Sequence, residues 1–298
     1  MLSLIYDKNI NTLIRSLMLP FKSVLPNSVK IPVNGVFNVR SKQFPNFKMF
    51  ANPTSHSAKI LFWFGIEGFE FHAVKVFAKL AEKSHLFLDI GSNLGYYSLL
   101  ASKISRENIQ CHAFEPMPSA YDVLCQNVKI NSLNNIKTHR VALSNYTGEA
   151  KFYMIVNEKF SSFPQLTGDG GLNEMHSGNR SKRNFDVHCE TLDNFAEKIL
   201  NGKKIDLMKI DTEGNEHFVL EGGQEILKNH RPIIQCEILK TSNREALYRC
   251  LSDKNYNYYL ATLEGLELVK DFENPHLIYQ DYYLVPQEKT SFIKEFIK

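Results

Sequence analysis

One rhythm dominates the 298-residue chain: between residues 86 and 254, short apolar runs alternate with longer amphipathic stretches. The apolar runs at 86–90, 109–114, 136–141, 205–210 and 232–238 have the length of buried strands. The stretches at 94–105, 119–131, 215–229 and 243–254 repeat apolar residues at helical intervals. Alternation of this kind closes as parallel strands joined by right-handed crossover helices. Beyond residue 256 the helical pattern fades, and "YNYYLATLEGLELV" and "LIYQDYYLVP" predict an antiparallel pair at the C-terminal edge. The expected fold is α/β: a doubly wound, mostly parallel seven-stranded sheet.

The first 67 residues lack this rhythm and predict an N-terminal cap, with the α/β domain spanning 68–298. In the cap, "KIPVNGVFNV" and "KILFWFGI" lie between Pro, Asn and Ser clusters and read as strands. Phe71, Val74, Phe77 and Ala78 then share one helical face. Residues 157–184, rich in Ser, Gly, Asn and charge, interrupt the domain and read as a mobile insertion over the ligand cleft.

With 43% hydrophobic and 22% charged residues, the chain can bury a sizeable core. A net charge of +3, from 35 basic and 32 acidic residues, makes no case for a nucleic-acid partner. The densest basic cluster, Arg180, Lys182 and Arg183, reads as a solvated loop. The five cysteines are odd in number and contain no C-x-x-C, which favours reduced thiols in a cytoplasmic protein over disulfides or zinc. There is no secretory signal pattern, and no apolar run reaches the ~18 residues that span a bilayer. Residues 10–25 are mildly amphipathic, with Arg15 and Lys22 among Leu, Ile, Met and Phe. An ordinary packed helix is the expected reading; weak peripheral association with a membrane is the alternative.

The stretch "FLDIGSNLGYYSLLASK" places Asp89 at the carboxyl end of a strand, where ligands of open parallel sheets collect. Gly91 and Gly95 permit a sharp bend and a close approach, and the amides of the following helix point at the site. No G-x-x-x-x-G-K-[ST] is present, which argues against a nucleoside triphosphate. Asn93 stands where a dinucleotide loop needs its second glycine, which argues against NAD or FAD. A nucleoside with a charged, non-phosphate end remains. Glu115, at the tip of the next strand and 24 residues after Gly91, is placed to accept hydrogen bonds from both ribose hydroxyls.

The segments "FLDIGSNLGYYSL", "AFEPMPSAYDVLCQNVKIN", "RVALSNYTGEAKFY", "ETLDNF", "DLMKIDTEGNEHFVLEGG" and "PIIQCEI" occur in this order. Together, over about residues 68–240, they resemble the FkbM-type family of S-adenosylmethionine-dependent methyltransferases, most specifically at Lys209-Ile210-Asp211-x-Glu213-Gly214-x-Glu216. The resemblance implies a Rossmann-like sheet, S-adenosylmethionine as cofactor, and O-methylation of a small-molecule acceptor, often a sugar, glycan or polyketide-type metabolite. By that resemblance Asp89, Gly91 and Gly95 match the positions that hold the methionine part, Glu115 the ribose-binding acid, and Ala142 and Leu143 the edge of the adenine. Ser92, Asn93, Ser98 and Pro116 complete the expected cofactor set.

Methyl transfer is an in-line displacement, so alignment can supply up to ~7–11 kcal/mol. A base that takes the hydroxyl proton adds ~10²–10⁴-fold. Asp211 closes the fourth strand at the same sheet edge as Asp89 and Glu115, and Glu213 follows on the turn. Lys209 shares a strand face with Asp211 and reads as a positioning or charge-balancing group. Glu237, near the tip of the fifth strand, is a second candidate base. Asp211, Glu213, Glu216 and His217 offer ligand atoms for Mg²⁺, but carboxylates are favoured at any helix start and no metal is expected. His176 and His188 are not favoured as catalysts, and Thr191 or Asp193 is expected to cap a helix. The rings of Tyr96, Tyr97 and Phe114 are expected in the core, with a cation–π contact to the sulfonium as the alternative. Two other readings stand beside this one: a nicotinamide-dependent oxidoreductase, and an inactive methyltransferase-like binding module.

Overall fold

In the computed structural model, which describes residues 2–168, 170–172, 181–272, 276 and 278–298, the chain opens with two helices, α1 (Leu2–Ile5) and α2 (Lys8–Met18). A hairpin of β1 (Gly35–Val39) and β2 (Phe47–Ala51) follows, then α3 (His56–Phe64) and α4 (Phe71–Lys83). The alternating region begins with β3 (Leu86–Ile90), α5 (Tyr96–Ile104), β4 (Gln110–Phe114), α6 (Pro118–Ile130) and β5 (Ile136–His139). After these come β6 (Ala142–Ser144), β7 (Gly148–Ile155), β8 (Gly170–Gly171), β9 (Lys182–Thr191) and α7 (Leu192–Ile199). The chain then forms β10 (Leu207–Ile210), α8 (Glu216–Glu221), α9 (Gln224–Asn229), β11 (Ile233–Glu237) and α10 (Arg244–Leu251). It ends in β12 (Tyr256–Thr262), β13 (Gly265–Val269) and β14 (Asp281–Pro286).

The main sheet has the order β13-β12-β14-β11-β10-β3-β4-β5, one strand more than the seven expected. Its five strands from β11 to β5 are parallel, and the last three of the chain run antiparallel at the edge. The extra strand arises because "YNYYLATLEGLELV" turns back on itself, so that Thr262 pairs with Gly265. Every residue of β3 and β10 is buried, as a sheet covered on both faces requires. Phe87, Ala113 and Leu207 pack on one face with Phe77 of α4, Leu99 of α5 and Leu124 of α6. Their strand neighbours Leu88, Ile90 and Met208 pack on the other with Phe195 of α7, Leu220 of α8 and Leu247 of α10. Full burial of each such side chain contributes ~1.5–3 kcal/mol.

Two expected elements take another form. "KILFWFGI" is helix α3, not a strand: the Ser55 hydroxyl caps it by accepting from the Ala58 amide, and Ala58, Leu61 and Trp63 are buried. The second strand of the cap is instead Phe47–Ala51, whose residues alternate between buried and less buried. The expected helix 215–229 is broken between α8 and α9 at Gly222 and Gly223, whose backbones leave helical geometry, and Gly222 passes so close to the Ser144 carbonyl that a Cβ would lie 2.1 Å from it. Thr191 caps α7, and Asp193 caps α9 by accepting from the amides of Glu225 and Ile226.

Within the expected insertion, residues 157–184, the described structure includes β8 and the first three residues of β9. Strands β6, β9, β7 and β8 form a second sheet in that order, with β7 and β9 paired over eight residues. The Gln165 side chain ties residues 157–165 together, accepting from the Asn157 amide and donating to the Phe160 and Phe163 carbonyls. Residues 169 and 173–180 of the insertion, His176 and Arg180 among them, lie outside the described residues.

Strand β3 is central, flanked by β4 on one side and β10 on the other. The chain moves outward from β3 to β5 and returns beside β3 through β10. The crevice above the carboxyl ends of β3 and β10 is therefore the topological switch point. The strand ends nearly touch there, and the Asp211 amide donates to the Ile90 carbonyl at 3.0 Å.

Gly91 and Gly202 separate backbone conformation from crowding. Both have left-handed φ, +78° and +76°, but a Cβ on Gly91 would fall 1.8 Å from the Asp211 carbonyl oxygen, while Gly202 has open space. Gly202→Ala should cost about 1 kcal/mol in urea denaturation and Gly91→Ala more than about 3 kcal/mol. Equal costs would refute the crowding argument.

Candidate active site

The turn after β3 is held from below. The amides of Gly91 and Ser92 donate to the Phe114 carbonyl at 3.0 and 2.9 Å, and the Ser92 hydroxyl donates to the same oxygen. Gly95 starts α5 with φ +86°, where a Cβ would lie 2.5 Å from Leu124 Cδ1. Both glycines are thus demanded by the chain's own close approaches. Asp89 is buried, and its Oδ2 accepts from the Ser98 amide at 3.0 Å and the Ser98 hydroxyl at 2.6 Å. Burial pushes its carboxyl up to about 6, against those hydrogen bonds and the charge of Lys209.

Above the turn a cavity opens to solvent, and Gly91, Asn93, Glu115, Pro116, Ala142, Leu143, Asp211 and Glu213 line it. Asp89, Ser92, Gly95, Ser98, Lys209 and Glu237 do not. Glu115 is fixed by two backbone donors: the Asn93 amide to Oε2 and the Met117 amide to Oε1, each at 2.8 Å. Burial still raises its carboxyl to about 7. Asn93 has φ +47°, and its buried Oδ1 meets no partner among the described residues.

Half of the wall comes from residues that the sequence did not single out. Phe152 of β7 and Thr167, Gly168, Gly170, Gly171 and Leu172 close one side. The glycines leave the space: a Cβ on Gly170 would lie 2.7 Å from Phe152, and one on Gly171 2.6 Å from Asn215 Nδ2. Three glycines within four residues mark this wall, and it lies in the segment expected over the ligand cleft. Among the described residues the lining carries three carboxylates and no lysine or arginine. It suits a ligand with positive charge.

Lys209, Asp211 and Glu237 form one electrostatic unit. Lys209 Nζ donates to Asp211 Oδ2 at 2.7 Å and lies 4.6 Å from the centre of the Tyr97 ring. Burial alone would raise the Asp211 carboxyl, but the Lys209 ammonium and a hydrogen bond from Glu237 hold it below the usual carboxylate range. The Asp211 charge, together with burial, pushes Glu237 up to about 11, so Glu237 keeps its proton and donates it to Asp211. Burial disfavours the Lys209 ammonium, yet Asp211, Glu70, Asp281 and Glu237 more than offset this and raise it. The chain of polar groups continues away from the cavity: Tyr97 donates to Glu70 at 2.8 Å, and Gln235 Nε2 donates to Tyr97 and to Asp281. Burial and the nearby Asp281 charge raise Glu70 to about 8. No motif marks Glu70, Gln235 or Asp281; only the fold brings them to Lys209.

Asp211, Glu213 and Glu237 each present an oxygen within 4.8 Å of the others, a set suited to a hard divalent cation. Glu216 and His217, weighed earlier for that role, are not part of it. Glu216 is fully buried and organises the turn, accepting from the amides of Thr212 and Gly214 and from the Thr212 and Ser242 hydroxyls. His188 is exposed on β9 beside Glu149, and His176 lies outside the described residues. Tyr96 and Tyr97 are buried in the core, and the cation over Tyr97 is Lys209. Phe114 lines the cavity and stacks on His139.

Residues 89–267 match the family described as "Methyltransferase FkbM domain". The chain is 28% identical over 200 residues to methyltransferase sdnD of Sordaria araneosa, covering 57% of this chain and 73% of that protein. It is 24% identical over 151 residues to methyltransferase 1 of Beauveria bassiana, covering 45% of this chain and 57% of that protein. Among solved structures, methyltransferase FkbM from Methylobacillus flagellatus aligns with a TM-score of 0.44 at 15% identity, covering 67% of this chain and 43% of that one.

Asp89, Glu115 and Glu70 titrate at about 6, 7 and 8 in the fold, against 3.8, 4.5 and 4.5 for the free groups. A raised carboxyl contributes stability that is full below its unfolded pKa and is lost as pH rises through the folded one. The contribution of these three groups to the stability of the ligand-free protein should therefore be lost between about pH 4 and pH 8. The melting temperature of Glu115→Gln, relative to the parent, should climb between about pH 5 and pH 8.5. A difference independent of pH would contradict the assigned burial.

Proposed function

This chain belongs to the methyltransferase FkbM domain family, and on that premise we propose that it methylates a hydroxyl oxygen of a sugar, a glycan or a related small metabolite. It is an S-adenosylmethionine-dependent methyltransferase. The observation that carries the finer reading is that Glu115 and Asp211 line one cavity at the switch point, the first pinned by backbone amides and the second kept ionised by Lys209. When bound, the cofactor supplies a methyl group on a positively charged sulfur that is a good leaving group.

The lining fits that group. Two lone-pair positions of Glu115 are occupied by amides, and the remaining ones accept from the two ribose hydroxyls. Val141, Ala142, Leu143 and Phe152 give the adenine an apolar slot. Asn93 Oδ1 offers its unused acceptor to the ammonium of the methionine end. Asp89 and Ser98 act from beneath, fixing the turn that carries Gly91 and Asn93.

Asp211 accepts the acceptor's hydroxyl proton as the new O–C bond forms. A carboxylate of lowered basicity suffices, because the oxygen's proton becomes strongly acidic as that bond closes. Lys209 holds the carboxylate in place, Glu237 acts as a hydrogen-bond donor while it keeps its proton, and Glu213 on the rim helps to orient the acceptor. The absence of basic residues from the described lining disfavours a nucleic-acid backbone as acceptor. Five free thiols accord with a cytoplasmic setting, and no helix among the described residues is long and apolar enough to cross a membrane.

Glu115→Ala should weaken S-adenosylmethionine binding roughly tenfold to hundredfold by calorimetry. Asp211→Asn should leave that affinity within a few-fold and lower kcat by ~10²–10⁴. Incubating the protein with labelled S-adenosylmethionine and source-cell extract should label a small molecule or glycan at oxygen. Label found only on carbon, nitrogen or nucleic acid would sink the proposed acceptor class, and full turnover by Asp211→Asn would remove the proposed base.

A further inference from the structure

Helix α2 packs through two buried polar side chains. Asn11 and Arg15, one turn apart, are 0% and 2% exposed. Asn11 Nδ2 donates to the carbonyls of Ile5 and Pro32, and its Oδ1 accepts from the Asn34 amide and from Arg15 Nε. The Arg15 guanidinium also donates to the Asn34 carbonyl and lies 4.6 Å from the Phe62 ring centre. The opposite side carries Leu13 and Leu17, which are 61% and 65% exposed, with Ile10 beside them. Phe21 and Val24 continue the row beyond the helix at 60% and 77% exposed. The helix packs as expected from the sequence but through Asn11 and Arg15, with Ile14 and Met18 half-buried beside them, and it leaves Ile10, Leu13 and Leu17 facing outward.

The surrounding charge identifies what meets that row. The first 50 residues hold seven basic side chains against one acid, Asp7, whereas the remaining 248 hold 28 basic against 31 acidic. A cleft next to the end of the helix is lined by Lys22, Arg40 and Lys42, with Phe64 exposed among them, while Lys30 is buried, donating to Asn27 Oδ1 and lying over the Phe64 ring. Its single acid, Glu67, is engaged by the Ser41 hydroxyl and the Lys42 amide. An outward apolar row flanked by cations is the pattern of a helix lying in the interface of an anionic bilayer. A second copy of the chain would instead bring two net-positive faces together.

We propose that this face docks on an anionic membrane surface, with Leu13, Leu17, Phe21 and Val24 entering the acyl boundary and the exposed Lys22, Arg40 and Lys42 of the cleft receiving phosphate headgroups. The segment leading into α2 also contacts the chain that runs towards the cavity wall. The Tyr6 ring meets Phe160 at 5.0 Å, and the segment after Phe160 runs on to Thr167 and Gly168 in the cavity wall.

Co-sedimentation of the full chain with vesicles tests this. Vesicles of phosphatidylcholine with about 30% phosphatidylglycerol should pellet the protein, and phosphatidylcholine alone should hold it at least about tenfold more weakly. Salt at about 0.5 M should also reduce binding about tenfold. Leu13→Ser with Leu17→Ser, and separately Lys22→Glu with Lys42→Glu, should each lose about tenfold in vesicle binding with unchanged melting temperature, because all four side chains are exposed. Three outcomes would overturn the proposal. The parent protein could fail to bind anionic vesicles, the variants could bind as well as the parent, or the parent could be a dimer that the leucine variant converts to monomer.

Discussion

A single buried ammonium governs the electrostatics of this molecule. Lys209 faces the carboxyls of Asp211, Glu70, Asp281 and Glu237, and its charge also reaches Asp89. One cation cannot balance five neighbouring carboxylates, so most of the acids respond by keeping their protons to higher pH. Asp211, within hydrogen-bond distance of the ammonium, is the exception and stays ionised. The fold thus separates two neighbouring acids into different roles: Asp211 as the charged acceptor and Glu237 as the protonated donor. A ligand bringing further positive charge into the cavity restores the balance that one lysine leaves incomplete.

This arrangement depends on two strand ends that nearly collide. Gly91 passes the Asp211 carbonyl so closely that no side chain fits, and the Asp211 amide closes the contact on Ile90. The crossing brings the turn carrying Asn93 and the acid at the end of β10 to one rim. Beneath it, Asp89 is used to brace α5 through Ser98, while Glu115 reaches the cavity. Three acids that look equivalent along the chain therefore do different things: one anchors the turn, one faces the pocket from backbone donors, and one is set by a lysine.

The parallel strands and their helices were legible because period and length are local properties. The runs at 86–90, 109–114 and 232–238 coincide with strands to within a residue at each end. The second sheet was not legible. Its strands β7 and β9 pair across a segment of Ser, Gly and charged residues, and their partners are distant in sequence. Residues 59–66 misled for the opposite reason: their apolar content suits a strand or a buried helix, and only the Ser55 cap decides between them. The outward face of α2 was hidden too, since an amphipathic pattern does not say which side the rest of the protein will cover.

By itself, the sequence determined the α/β alternation, the turn at Gly91, the acids at the strand tips and the family to which they belong. These follow from side-chain periodicity and from short motifs in which the chemistry needs fixed spacings. The tertiary structure alone decided which acids face the cavity, which of them keep their protons, and which side of α2 meets solvent. Those outcomes depend on burial and on charges contributed by residues such as Glu70, Lys209 and Asp281, far apart in the chain. Desolvation and Coulomb energies are set by distance in space, and only folding sets that distance.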